Sequence, residues 1–447
     1  FLTPSIALNF LDTKTSQSTS FPYYFNLSID KELTFTPIIN YGGGVDSSQR
    51  FLFDYNQALS GGKLSTDLIF DSNFEKENSD KWLSDASLIT NYEQKINKNY
   101  KLTIDSALQT SQNYIQITQP DSDLSYKNSL SSSIELEGYY INKIDDYFSS
   151  SLQFYQTNQK DENNKTTPTV FPNIYYYSGN NNIKGNETSN SYRFYNIFRD
   201  KNTDIHSQRQ IKFSHKFNSL KEIVKYNSKI SISSEIYNQF YSTENKLIQT
   251  DQYHSGNLFR IFPIFGLKVE TPFKIKKNIY NLTYKPYTQF VISPGISNSN
   301  KLSNEDSSNN NFSIGNFDSL NRYSGSDKMD NSKRINYGIV IENNLLKFNL
   351  SQNYEFTDNS NFHKEQGNDD NLSDLLGSFD YENVNNLNYN FRYDVNDEFL
   401  KEQNINLTNK NYVGDLTISY LDQRKKRDNI ITKDTETINY ELKSKKF

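Results

Sequence analysis

The sequence predicts an all-β protein: a large antiparallel transmembrane barrel of the outer-membrane type, with roughly 20–26 strands. Three observations carry that prediction. Apolar and polar residues alternate in segments of strand length from one end of the chain to the other. Aromatic residues are abundant, 33 Tyr and 31 Phe, although hydrophobic residues make up only 34%. The connections between alternating segments are short and long by turns, as in barrels with short periplasmic turns and longer outer loops.

A chain of 447 residues has room for two or three soluble domains or for one large barrel. A mean hydropathy of −0.81 would suit a poorly cored polypeptide. The 15% aromatic content argues against that, because disordered chains are aromatic-poor. Strands with one greasy and one wet face reconcile the two values, since a barrel with a wet lumen needs no oily core. A net charge of −5 offers no basic field for nucleic acid. The absence of cysteine excludes disulfides, thiolate metal sites and cysteine nucleophiles. No apolar run approaches the ~18–20 residues of a spanning helix, whereas a barrel strand needs only ~9–11. The chain opens on FLTPSIALN without a start methionine and reads as a piece of a longer, processed protein.

The strand pattern runs in chain order. Leu64, Leu68, Phe70 and Phe74 share a face opposed by Lys63, Asp67 and Asp71. Tyr100, Leu102, Ile104 and Leu108 alternate with Lys101, Thr103 and Asp105. Ile134, Leu136 and Tyr140 face away from Glu135 and Glu137, and Ile211, Phe213 and Phe217 from Lys212, Ser214 and Lys216. Ile230, Ile232, Ile236 and Phe240 follow, then Leu346, Phe348, Leu350 and Tyr354. In the last clear case Leu387, Tyr389, Phe391, Tyr393 and Val395 oppose Asn388, Asn390, Arg392 and Asp394. Short turns are expected at Ser60-Gly61-Gly62, Asn97-Lys98-Asn99 and Asn343-Asn344. Long polar connections are expected near 118–129, 157–169, 178–190, 241–256, 294–335 and 357–373. A β-helix or propeller would show a fixed repeat, and none is present. A set of sandwiches would need linkers, and segments of ten residues exceed the usual soluble strand.

Several stretches go beyond architecture. They are FLTPSIALNF (1–10), FPYYFNLSIDKELTFTP (21–37) with YGGG (41–44), PTVFPNIYYY (168–177) and RIFPIFGLKVETPF (260–273). The long 292–338 connection then carries Ser303-Asn304-Glu305-Asp306-Ser307, Asn321-Arg322-Tyr323-Ser324-Gly325 and Asp327. FNLSQNYEF (348–356) and Asn371-Leu372-Ser373-Asp374 close the set, with Gly377 behind them. In this order the stretches resemble the barrel portion of the LptD family, the lipopolysaccharide-assembly proteins of Gram-negative outer membranes. The resemblance runs from Phe1 to about Asp394. Residues 1–10 correspond to the end of a periplasmic jelly-roll domain or its connection, and 11–447 to the barrel. The family's late features are not found after about residue 395, and Phe447 falls off the parity of Ile438, Tyr440 and Leu442. The chain therefore reads as lacking a C-terminal piece. The cysteines that join barrel and periplasmic domain in many relatives are absent.

The resemblance implies a translocon and not an enzyme. It implies lipopolysaccharide received from a periplasmic bridge protein, release through a lateral gate between first and last strands, and a lipoprotein, LptE, as a lumenal plug. It implies no cofactor. The alternative is a passive porin or a TonB-dependent-type receptor. In this picture Pro22 and Pro37 weaken one end of the first hairpin, because proline gives no N–H to the ladder. Tyr23, Tyr24 and Phe25 stand beside them as an aromatic girdle or as part of the lipid path. In the 294–335 connection Asn304, Glu305, Asp306, Asn321, Arg322, Asp327 and Arg334 are expected to form a polar network that folds it into the lumen or over its mouth. His206, His215, His254 and His363 lack metal-ligand spacing, and Asp369, Asp370 and Asp374 lack the pattern of a calcium loop. No metal site is expected.

Overall fold

The computed structural model describes residues 5–11, 14–42, 48–73, 83–120, 122–143, 145–159, 162, 164–183, 185–201, 206–277, 280–308, 312–357, 367, 371–383, 385–410, 414–427 and 430–444. Among them lie 24 strands, and the helical structure is one five-residue turn of helix, α1 (Tyr114–Thr118), with a 3-10 turn at Asn164–Thr166. The opening strands are β1 (Ser5–Leu11), β2 (Lys14–Ser20), β3 (Tyr23–Ser28), β4 (Lys31–Gly42), β5 (Ser48–Leu59) and β6 (Gly62–Asn73). Next come β7 (Leu83–Lys95), β8 (Tyr100–Gln109), β9 (Ser129–Tyr139), β10 (Tyr147–Thr157), β11 (Thr169–Ile183) and β12 (Asn186–Arg199). β13 (Gln208–Lys225), β14 (Ser228–Gln249), β15 (Gln252–Glu270), β16 (Phe273–Lys277), β17 (Tyr280–Ile292) and β18 (Lys333–Glu342) follow. The chain ends with β19 (Leu346–Glu355), β20 (Leu375–Glu382), β21 (Asn385–Asp394), β22 (Phe399–Lys410), β23 (Gly414–Arg427) and β24 (Ile430–Ser444).

The chain divides into two compact units. The first comprises Phe1–Gly179, Asn190–His215 and Gln239–Phe259. In it β1 pairs with β2, β2 and β3 both pair with β4, and each strand from β4 to β10 pairs antiparallel with the next. The second comprises Asn180–Ser189, Lys216–Asn238 and Arg260–Phe447. There β15 and β16 both pair with β17, and each strand from β17 to β23 pairs antiparallel with the next.

Burial along these strands is inverted relative to a soluble protein. In β13 the lysine of the Lys212-Phe213 pair is fully buried, whereas the phenylalanine is 46% exposed. In β18 Asn336 is fully buried and Tyr337 is 38% exposed. Phe265, Leu267, Phe290 and Ile292 are likewise exposed while Arg260, Gln289 and Arg334 are covered. Covering polar groups costs free energy unless they are hydrogen-bonded, so the pattern pays only where the apolar face meets lipid. The buried Lys212 ammonium lies over the rings of Tyr195 and Tyr241, 5.4 and 5.5 Å from their centroids.

Several sequence expectations need correction. The stretches 178–190 and 241–256 are not long loops: β11 and β12 run through the first to a turn near Gly185, and β14 and β15 through the second to a turn at Thr250-Asp251. Both stretches are polar on each face, which reads as loop although the backbone is paired strand. The long connection is 293–332, so Arg334 belongs to β18 and not to the loop. Tyr140 leaves the alternation of β9 with a positive φ of 53°. His215 lies inside β13, its ring stacked on Tyr192 at 4.7 Å. Phe74, His363, Asp369, Asp370 and Phe447 lie outside the described residues.

Candidate functional site

In the first unit the opening hairpin is built on a single interrupted line of backbone. Ser20 pairs with Ile38 and Tyr23 with Phe35, so β2 and β3 share one continuous register along β4. Pro22 does not open a strand; with Phe21 it interrupts one. Pro37 lies inside β4, where the Phe21 N–H donates to its carbonyl at 3.1 Å. Antiparallel pairs alternate between those that exchange two hydrogen bonds and those that exchange none. The Phe21–Pro37 pair is of the first kind, and Pro37 cannot return the second bond. Pro22 falls on the second kind, opposite Thr36, so its missing donor is on the side away from β4. Each lost bond removes about 1 kcal/mol net.

All six residues of β3 are exposed, on both faces. Tyr23, Tyr24 and Phe25 are therefore surface side chains, and Tyr24 Oη donates to Glu32 at 2.9 Å across the hairpin. Behind them the apolar face becomes a block of rings, with Phe35 and Phe53 at 4.7 Å and Phe51 and Phe70 at 5.2 Å.

In the second unit the 293–332 connection is folded around two carboxylates that cap each other's backbone. Asp327 Oδ2 accepts from the N–H groups of Glu305 and Asp306 at 2.8 and 3.0 Å. Asp306 Oδ1 accepts from those of Ser326 and Asp327 at 2.9 and 2.8 Å. Ser307 Oγ accepts from the Asp327 and Lys328 N–H groups, and Asn304 closes the turn through the Ser307 N–H and carbonyl. Such charge-assisted bonds are the strong class. Gly325 has φ +75°, and a Cβ there would stand 2.1 Å from the Asp306 carbonyl oxygen, so only glycine fits. From β15, Arg260 Nη2 donates to the carbonyls of Ser326 and Asp327 at 2.8 and 2.9 Å, tying the loop to the sheet.

A buried ion network lies below this clamp. Arg322 Nε and Nη2 donate to the two oxygens of Asp330 at 2.5 and 3.2 Å, and Nη2 reaches Glu355 Oε2 at 3.2 Å. Arg334 Nη1 donates to Asp330 at 3.1 Å, and its Nη2 to the carbonyl of Ser319 at 2.5 Å. Ser332 Oγ donates to Glu355 at 2.5 Å, and Asn321 Oδ1 accepts from the Asp330 N–H at 3.0 Å. Two guanidinium groups thus balance two carboxylates, each residue no more than 3% exposed. Burial pulls the Arg322 pKa down, but Asp330 and then Glu355 outweigh it and raise it. Removing one member of such a cluster leaves an uncompensated buried charge, at a cost of about 3–5 kcal/mol.

The loop's apolar side chains complete the fit. Leu320 and Met329 pack with Tyr237, Phe262, Ile264 and Val291, and Phe312 and Phe317 with Tyr287 and Leu376. They cover the same face that carries Arg260, Gln289 and Asn336. The Asn336 amide donates to Gln289 and to the Phe317 carbonyl at 2.7 and 3.0 Å. Beyond β19, Asp374 sits 3.1 Å from Lys401 and 3.8 Å from Arg392. Burial pushes its carboxyl up to about 6 against the opposing pull of Lys401. No group of three or more metal-ligating side chains occurs among the described residues.

The structure brings Asn304, Asp306 and Asp327 into one cluster and Asn321, Arg322 and Arg334 into the other. Glu305 enters the first through its backbone N–H. Pro22 and Pro37 meet across one hairpin. Sequence reasoning missed Arg260, Ser307, Asp330, Ser332 and Glu355. A charge inside the apolar run RIFPIF was a usable signal for Arg260; Glu355 had none, being 33 residues from Arg322.

No curated protein matches the chain. Among solved structures it is similar to the ferric citrate transporter FecA in the unliganded form, with 8% identity and a TM-score of 0.24 over 96% of this chain and 74% of that one. It is also similar to BauA, the ferric preacinetobactin receptor from Acinetobacter baumannii, with 8% identity and a TM-score of 0.21 over 98% and 78%. Likenesses at that level carry no weight for fold or function. The family model for LPS transport system D matches residues 86–442, a span that holds the clamp, the ion network and the strands from β8 to β23 entire. With strands greasy on the exposed face and polar on the covered one, this chain belongs to the LptD family of outer-membrane β-barrel proteins that transport lipopolysaccharide.

Proposed function

We propose that the chain forms the wall of a translocon that passes lipopolysaccharide sideways into the outer leaflet, and that the β2–β3/β4 hairpin is one side of the opening. The observation that carries this reading is the proline pair. A closed barrel in lipid has no free edge and tolerates no unpaired backbone group. Lateral opening must break a ladder, and the ladder that costs least to break is one already short of donors. Pro37 withholds a bond inside the hairpin, and Pro22 withholds one on the side away from β4, where the β1 pairing of β2 ends at Ser20 and beyond which a last strand would close on β3. Exposed Tyr23, Tyr24 and Phe25 line that edge with aromatic surface suited to the lipid interface.

The 293–332 loop has the complementary role of a fixed part. Pinned by Asp306, Asp327, Arg260 and the Arg322 network, it narrows the polar side of the sheet and does not move with the gate. An LptE-like lipoprotein would fill the remaining lumen, and a periplasmic bridge protein would deliver the lipid. No covalent bond changes in this cycle, so no catalytic residue is required.

The test is the double variant Pro22→Ala/Pro37→Ala in the full-length protein. Restored donors should slow lipopolysaccharide appearance at the cell surface at unchanged protein level. Surface lipopolysaccharide equal to wild type, with equal amounts of barrel in the membrane, would overturn the reading.

A further inference from the structure

The arrangement at Pro22 and Pro37 occurs a second time. β15 and β16 share one register along β17, from Phe265↔Ile292 to Glu270↔Tyr287 and then from Phe273↔Tyr284 onward. Thr271-Pro272 interrupts that line as Phe21-Pro22 interrupts the other. Pro286 stands opposite Thr271, and the Thr271 N–H donates to the Pro286 carbonyl at 3.1 Å, the same bond and length as Phe21 to Pro37. By the alternation of antiparallel pairs, Pro286 withholds the return bond to Thr271, and Pro272 withholds a donor on the side away from β17. The first break lies in an arm that runs on to the turn at Ile29-Asp30, and the second in an arm that runs on to the Lys277–Tyr280 pair.

Four of the ten prolines in the sequence are therefore placed as two equivalent pairs. Pro172 is different: it lies at a register shift between β10 and β11, and the facing residues Ser151–Gln153 include no proline. Ser228 Oγ and Thr271 Oγ1 share a hydrogen bond at 2.8 Å, a single side-chain latch beside the missing backbone donor.

We infer that the β15–β17 hairpin is a second yielding point of the wall, a hinge that gives when the first hairpin parts. Its coupling to opening rests on the lateral-opening reading above; the yielding itself does not. Amide hydrogen exchange on the full-length protein with its lipoprotein partner in lipid nanodiscs tests the yielding directly. Amides of 273–276 and 282–285 should exchange about tenfold faster than those of 387–391 and 403–407, the part of the β21–β22 ladder clear of its register shift at Arg392/Tyr393. Pro272→Ala/Pro286→Ala should remove that difference and also slow lipopolysaccharide delivery. Equal exchange in the two ladders, or fast exchange that survives the double substitution, overturns the hinge. Normal delivery in this variant, alongside slowed delivery in Pro22→Ala/Pro37→Ala, overturns its coupling to the gate. Normal delivery in both variants overturns the lateral-opening reading, and the exchange contrast then decides the hinge alone.

Discussion

The hairpin of β3 and β4 and the connection between β17 and β18 are held in opposite ways. In the hairpin, backbone donors are withheld at two prolines and the side chains of β3 stay at the surface. In the connection, backbone donors that no ladder satisfies are taken up by Asp306, Asp327, Ser307 and Asn304. An irregular segment of 40 residues, 293–332, would ordinarily be the looser of the two, and a strand the firmer. Here the regular element is the one short of backbone donors. Rigidity follows from where hydrogen-bond groups find partners, and regular secondary structure is only one way of supplying them.

The comparison can be broken most sharply at Arg322. Arg322→Ala leaves Asp330 and Glu355 buried without their main counter-charge and should destabilise the protein by about 3–5 kcal/mol. Urea unfolding in lipid vesicles, with protease access to 293–332, measures it; a midpoint equal to wild type would mean the loop is not held by its charges. Gly325→Ala should cost less, about 1–3 kcal/mol, because it strains one left-handed residue against the Asp306 carbonyl. Its effect should be confined to protease access at the clamp.

Asp374 supplies a pH dependence of comparable size. Its folded pKa of about 6 lies above the ordinary carboxylate value of about 3.9. Between those values the folded protein holds a proton the unfolded chain has lost. The stabilisation is therefore complete below about pH 4 and is lost as pH rises through about 6, an effect on the order of 2 kcal/mol. Unfolding midpoints at pH 4.5 and 7.5 should converge in Asp374→Asn relative to wild type. Tyr24→Phe is the smallest expected effect: its bond to Glu32 lies in solvent, and its unfolding midpoint should match wild type.

Strand character was legible in the sequence because side chains alternate with a period of two, and one face of each strand meets lipid. The alternation vanished where both faces were wet, as in GNNNI at the end of β11 and TENKLIQ at the end of β14, and those strands read as loops. The charges that fold the long connection were visible as charges in a long loop. Their partners were not, because Arg260 lies 67 residues from Asp327 and only the folded sheet brings them together. The prolines of the first hairpin were visible too, but proline reads as a boundary. That β2 continues the line of β3 follows only from their shared register with β4.

The ion network also bears on how the molecule is made. Its links all fall within β17–β19 and their loop: Arg322 to Asp330 spans eight residues, Arg334 to Asp330 four, Ser332 to Glu355 23 and Arg322 to Glu355 33. Contacts of short separation form early, because little chain entropy is lost in closing them. The stretch from β17 to β19 with its loop can therefore assemble as one local nucleus during membrane insertion. A folding intermediate would then carry this stretch already formed, and a variant that delays it should insert into the membrane more slowly.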